Sequence, residues 1–350
     1  MRKKASPTLL SMARESRGLT QGELAHLVGI SQGKISKFEH GMLEVSEGDL
    51  ADLSRVLDYP QSFFFQDDDS PAAGSGCMYY RKRQSMPVGE LRTIHARLRI
   101  RCRHIARLLR SAEIDAENKF PRMDVDDYDG GPEEIARLIR ANWKLPMGPV
   151  ANLIIAIENA GGVVIRCSFG TKKLDAISQW ASGFPPMFFV NDSISTDRLR
   201  WSLAHEIGHI VMHRVPNDSQ EHEADRFAAE LLAPAREIAS YLRPMTIQKL
   251  AALKPFWKIS MAALLKRAFD LDKISESYYR KLFTAMSKLG YRTAEPLPLP
   301  REEPEILDEL IRVHLDEHGY SIHELSGAVL LYEHEFRSLY LRSNKRLRVI

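Results

Sequence analysis

The residues best suited to chemistry are His205-Glu206-Ile207-Gly208-His209, an H-E-x-x-H motif. On a helix, residues four apart share a face, so both imidazoles can reach one Zn²⁺. Glu206 sits beside them, where a carboxylate can take a proton from an attacking water. Leu203, Ala204, Ile207, Ile210 and Val211 make the flanks apolar, as a buried metal helix requires. Such a centre needs a third protein ligand and one position left for water.

Several residues compete for that third place. His213 lies one turn beyond His209, although a histidine at a helix C-terminus reads first as a dipole or surface residue. A metzincin continuation requires Gly at 212 and His at 215; Met212 and Val215 exclude it. Downstream stands Glu221-His222-Glu223-Ala224-Asp225. This resembles the gluzincin pattern E-x-x-x-D. The resemblance implies Glu221 as the third ligand and Asp225 as the carboxylate that orients a ligand histidine, with Glu223 the runner-up ligand.

A second group lies near the N-terminus, where Thr20–Glu39 reads TQGELAHLVGISQGKISKFE. Thr20 can cap a helix over Gln21–Leu27, Gly29 can supply a left-handed turn, and Ser31 can cap a second helix over Gln32–Glu39. Leu24, Ala25, Val28, Ile30 and Ile35 then converge on a small core. Gln32, Lys34, Ser36 and Lys37 are left outside, where short polar and basic groups suit base edges and phosphates in a major groove.

Both groups depend on the elements that carry them. Gln66–Gly76 is acidic and then small, a linker composition. Met86–Ser111 reads as a long helix, and Gly148–Ala160 as another, stopped by Gly161-Gly162. Three strand-like runs follow at Val163–Arg166, Ala176–Trp180 and Met187–Val190. Helices over Thr196–His213 and Gln220–Leu232 then bear the metal motif, the second closed by Pro234. The remaining third is helical, broken by the Pro-rich Glu295–Pro300. Within it, Thr246–Leu271 has a helix–turn–helix rhythm, with Ser260 as a cap, that reads as internal packing.

With 350 residues and 44% hydrophobic content the chain can bury a real core of two or three domains, which excludes a disordered tail or a small disulfide scaffold. The net charge of +3 conceals segregation. Residues 77–110 hold nine Arg and one Lys against one acid, and residues 111–135 hold nine acids against Lys119 and Arg122. Residues 1–65 carry eight basic and eight acidic groups. Electrostatic affinity of a monomer for DNA is then weak, which calls for a homodimer or help from the basic segment. Cys77, Cys102 and Cys167 form no C-x-x-C pair and read as reduced cytosolic thiols, with a redox role for Cys77 as the minor alternative. Neither a signal peptide nor a transmembrane helix is expected.

The N-terminal unit closely resembles the XRE, lambda-repressor-like helix-turn-helix family over about residues 8–63. The resemblance implies a double-stranded DNA operator as partner, with Gln21 on the backbone, Gln32, Lys34 and Ser36 facing bases and Lys37 a phosphate. LAHEIGH and EHEADRFAAELLAP, with LDAISQW, FFVN, FWKIS and Gly290-Tyr291-Arg292, resemble the ImmA/IrrE metallopeptidases over about residues 77–300. Ala233 departs from the family's usual Met. This resemblance implies a Zn²⁺-dependent endopeptidase that cuts a repressor or partner protein in a stress or mobile-element response. Glu206 would be the general base, and Met187–Asn191 an edge strand for an extended peptide. Tyr79, Tyr80 and Arg200 are unanchored oxyanion candidates. Together these imply a mainly α chain with a small β-sheet. A five-helix lambda-repressor-like domain (1–65) and a linker (66–76) precede a zincin-like α+β metallopeptidase domain (77–240) and a helical C-terminal region (241–350). The alternatives are a non-proteolytic transcription factor with a zinc sensor domain, or an antitoxin-like partner in a two-gene module.

Overall fold

A computed structural model describes residues 4–66, 86–215 and 217–341. The linker expected at 66–76 lies almost wholly outside the described residues, as do Cys77, Tyr79 and Tyr80.

The N-terminal unit comprises α1 (Pro7–Ser16), α2 (Gln21–Val28), α3 (Gln32–Glu39) and α4 (Glu47–Leu57), followed by a 3₁₀ turn over Gln61–Phe65 as its fifth element. Local chemistry defines its bends. Thr20 and Glu23 form a reciprocal capping box at the start of α2, and Gly29 closes that helix at φ 78°. Ser31 then caps α3. Leu24, Ala25, Ile35 and Phe38 are buried with Leu9, Leu53 and Phe63, whereas Val28 and Ile30 pack at the edge of that core.

The long α5 (Val88–Leu108) contributes to two hydrophobic clusters. Ala96, Ile100 and Leu108 join the N-terminal core, while Ile94, Leu98, Cys102 and Ile105 pack on the sheet. Its arginines are largely engaged in this packing. Arg97 donates to Ser16 O (2.7 Å), Arg107 to Ala328 O (3.2 Å), and Arg92 lies 3.9 Å from Glu15.

After α6 (Gly131–Asn142) and α7 (Leu153–Asn159) comes a three-stranded sheet of β1 (Val163–Cys167), β2 (Ala176–Gln179) and β3 (Met187–Asn191). Its order is β1-β3-β2, with β1 parallel and β2 antiparallel to β3. Met187–Asn191 is therefore the central strand, not the expected edge. Its five residues are all buried, because both faces are covered. Phe188 and Val190 face the helices of the metal motif, and Met187 and Phe189 face α5.

Those helices are α8 (Thr196–Met212) and α9 (Gln220–Leu232), followed by the short α10 (Ala235–Ile238). Then come α11 (Ile247–Trp257), α12 (Met261–Asp270) and α13 (Glu276–Lys288). Thr246 caps α11 and Ser260 caps α12, and Leu250, Leu264, Leu265 and Met286 enter the same core as α8. The last helices, α14 (Ile306–Arg312), α15 (Ile322–Ala328) and α16 (Glu333–Tyr340), instead bury Leu310, Leu325 and Phe336 with the N-terminal core. The C-terminal residues thus divide between two cores.

Arg200 is fully buried on α8, where it pairs with Glu302 and donates to Val150 O at 2.7 Å. Glu302 in turn accepts from Leu153 N at the start of α7 (2.9 Å). Arg200 is thus a structural tie between α8 and the chain after the Pro-rich break. No helix among the described residues is long and apolar enough to cross a membrane.

Candidate functional site

Gly208, in the middle of the H-E-x-x-H motif, explains how α8 and α9 meet. A Cβ there would stand 3.2 Å from Ala224 Cα and 3.2 Å from Phe227 Cδ1. A side chain there would press α9 back by a few tenths of an ångström, and the close approach carries Glu221 and Asp225 over the two histidines.

His205, His209 and Glu221 converge, each offering a ligand atom within 4.8 Å of the others. The facing Nε2 atoms of His205 and His209 are 3.0 Å apart. Glu221 reaches both, at 3.5 Å from His205 Nε2 and 3.4 Å from His209 Nε2. Beyond that 3.5 Å approach to His205, its buried Oε2 has no hydrogen-bond partner among the described residues, a costly arrangement for a carboxylate oxygen. Two imidazole nitrogens and an unsatisfied carboxylate oxygen at these separations fit a Zn²⁺ ion, whose tetrahedral sites take N and O donors. Among the alternatives for the third donor, the helix pairing brings Glu221 to this point.

The outer ring nitrogens are also engaged. His205 Nδ1 lies 2.9 Å from Asp225 Oδ1. His209 Nδ1 faces His213 Nδ1 at 2.9 Å, and His213 Nε2 faces Glu223 Oε2 at 2.9 Å. His213 is thus buried behind His209, not a surface residue. Glu223, the runner-up ligand, turns away from the convergence point to hold His213. Sequence reasoning missed this chain. Its signal was present in the i, i+4 step from His209 to His213.

Glu206 is 2% exposed. Its Oε2 accepts from the buried Ser178 hydroxyl on β2 at 2.5 Å. Burial pushes the Glu206 carboxyl up to about 7, while His205 and Ser178 oppose the rise. Burial likewise lowers His209, to about 4. At His205 burial acts downward too, but Asp225 and Glu221 outweigh it and raise the imidazole to about 9. The two imidazoles hold Glu221 well below the usual carboxylate range despite its partial burial. The ring therefore combines an ionised carboxylate with a neutral imidazole. Ser178 lay in an expected strand, but nothing in its local sequence pointed to Glu206, 28 residues away.

Lys173, Leu174, Asp175, Ala176, Trp201 and Ser202 line a cleft of about 30 Å³ beside His205 and Glu206. Asp175 is tied to α8 by Arg198 (2.6 Å), which holds the loop between β1 and β2 over this opening.

In the N-terminal unit the expected residues separate. Gln32 and Lys37 are exposed on α3, and Ser36 is half-buried. Lys34 is bound within the protein, its Nζ 2.7 Å from Asp49 Oδ1 on α4. Gln21 donates to Glu39 Oε2 (2.8 Å), and Arg14 binds the same carboxylate through Nε (2.6 Å). This Arg14–Glu39–Gln21 network links α1, α2 and α3 and was not anticipated.

Residues 10–61 match a family model described as helix-turn-helix, and residues 157–269 match one described as the IrrE N-terminal-like domain. The chain is also similar to uncharacterized HTH-type transcriptional regulators of Sinorhizobium medicae and Rhizobium meliloti. Each is 33% identical over 67 residues, or 19% of this chain and 48% of the relative. The chain thus spans about half the length of the curated relatives it matches. It joins an XRE-type helix-turn-helix domain to an IrrE N-terminal-like domain of the M78 metallopeptidase family.

Proposed function

We propose that this protein is a DNA-binding transcriptional regulator, acting in the cytoplasm, whose IrrE-like domain is a zinc endopeptidase acting on a repressor or partner protein. The observation that carries the enzymatic half is the buried Glu206 carboxylate beside a His205–His209–Glu221 donor set. When bound there, Zn²⁺ supplies Lewis-acid polarisation of the scissile carbonyl and acidifies the attacking water. Glu206 takes the proton of that water and passes it to the leaving amine. Ser178 and burial hold its carboxylate in place. Asp225 orients His205, and the His213–Glu223 pair orients His209, so that both Nε2 atoms face one point.

The DNA-binding half rests on α3, whose exposed Gln32 and Lys37 suit a base edge and a phosphate of a double-stranded operator. Ser36 lies beside them. Gln21 flanks the operator backbone from α2, and Lys34 reaches a base only by leaving Asp49. The unit's balanced charge favours a homodimer on DNA.

One observation favours a second reading. The cleft at Glu206 is only about 30 Å³, too small for a peptide unless the loop ending at Asp175 yields. A zinc-holding sensor domain without proteolysis is compatible with that closure. Zinc-loaded protein incubated with neighbour-encoded proteins and followed by mass spectrometry tests the choice. The enzyme reading expects a cut product that falls roughly 10²–10⁴-fold in Glu206→Gln at unchanged zinc content. Equal cleavage by both proteins sinks the endopeptidase, and no cleavage of any partner leaves the sensor.

A further inference from the structure

A second cavity, of about 270 Å³ and partly open, lies where the N-terminal unit, α5, the end of the sheet and α16 meet. Ligand sites favour such junctions. Its apolar lining includes Ile94, Leu98, Phe169, Leu331 and Leu339. The polar groups in the wall are unevenly charged. Arg17, Arg97 and Arg101 line it with Glu335 as the single acid, and Glu335 is already bound by both terminal nitrogens of Arg17 (2.8 and 2.9 Å). Among the described residues Arg97 donates only through its Nε, to Ser16 O. The charges of Arg97 and Arg101 therefore have no counterion within the wall.

His104 adds a second and independent sign. It lines the same cavity, one turn of α5 beyond Arg101, and is 2% exposed. Tyr340 Oη fixes its Nδ1 at 2.8 Å, but its Nε2 has no hydrogen-bond partner among the described residues. Burial, with Arg101 and Arg107 nearby, lowers its imidazole to about 3, so the ring is neutral. A buried, unpartnered ring nitrogen is destabilising, and a ligand can relieve it.

We propose that this junction cavity binds a small monocarboxylate with an apolar body. Its carboxylate would be held by Arg97 and Arg101, a polar atom would meet His104 Nε2, and its hydrocarbon would lie against Phe169 and the leucines. The site is independent of the metal centre. It draws its walls from both the helix-turn-helix unit and α16, so an occupant ties them together beside the Arg17–Glu335 bridge.

Benzoate is a rigid probe of suitable size, and benzamide is its uncharged counterpart. Calorimetry on the full chain should give saturable one-to-one binding of benzoate, at least 10-fold weaker for benzamide and at least 10-fold weaker in Arg101→Gln. Arg101 is only half-buried, and an unchanged melting temperature of the variant in the absence of ligand shows that it folds. Cys167 also lines the cavity. Benzoate should therefore slow its modification by an uncharged thiol reagent, located by mass spectrometry. Absence of benzoate binding, equal affinity for benzamide, full binding by Arg101→Gln, or unprotected Cys167 would each overturn the proposal.

Discussion

The α8–α9 pair and the α2–α3 pair are both short stretches of polar residues on helices, yet they hold those residues in opposite ways. On α8 the polar side chains are buried, and their outer atoms are occupied by partners from β2, α9 and the C-cap of α8 itself. His205 has Asp225, His209 has His213, and Glu206 has Ser178. On α3, Gln32 and Lys37 point into solvent, and the fixed contacts lie behind them in the Arg14–Glu39–Gln21 network. The first arrangement is set before any ligand arrives, as catalytic or metal geometry demands. The second fixes the helix and leaves Gln32 and Lys37 exposed on its outer side.

This contrast leads to graded expectations. The largest effect should follow from damage behind the metal ligands. His213→Ala, which touches no metal in the proposed arrangement, should weaken zinc affinity about 10–100-fold, read by competition with a chromogenic chelator. Unchanged affinity would show that His209 needs no orienting partner. Next comes the helix contact itself. Gly208→Ala places a methyl against Ala224 backbone, so the helices must separate. Destabilisation of about 1–3 kcal/mol by denaturant titration, with reduced zinc content, is expected.

On the DNA side, Gln32→Ala should cost about 1–3 kcal/mol of operator affinity without altering the melting temperature, because the side chain is exposed. If stability falls as well, α3 is not the open surface described. The smallest change should come from Asp49→Ala. Releasing Lys34 costs at most about 1 kcal/mol of stability, since the lysine end of this ion pair is solvent-exposed. If operator affinity then rises, Lys34 is a base- or phosphate-binding group held back by Asp49. If it is unchanged, Lys34 belongs to the scaffold.

Much of both constellations was legible in short windows. The four-residue step from His205 to His209 places two rings on one helix face in any context. Thr20, Gly29 and Ser31 act on the backbone within a few residues of themselves, so the turn between α2 and α3 follows from local chemistry. The Glu221–Asp225 step similarly puts two carboxylates on one face of α9.

What local spacing cannot carry is the meeting of distant faces. Met187–Asn191 has the composition of a strand, but its central position depends on β1 and β2 pairing with its two edges. Ser178 reaches Glu206 because β2 lies against α8. Arg200 finds Glu302 across 102 residues. By charge count alone, the basic run over residues 77–110 offered help to the helix-turn-helix unit on DNA. Packing on two sides ties Arg97 and Arg107 of α5 to backbone carbonyls. Helix periodicity and caps are short-range and survive in isolation, whereas burial and partner choice arise only when the chain closes on itself. The two histidines could therefore be proposed as metal donors from a short window, and only the tertiary fold brought Glu221 to them and decided what holds the group in register.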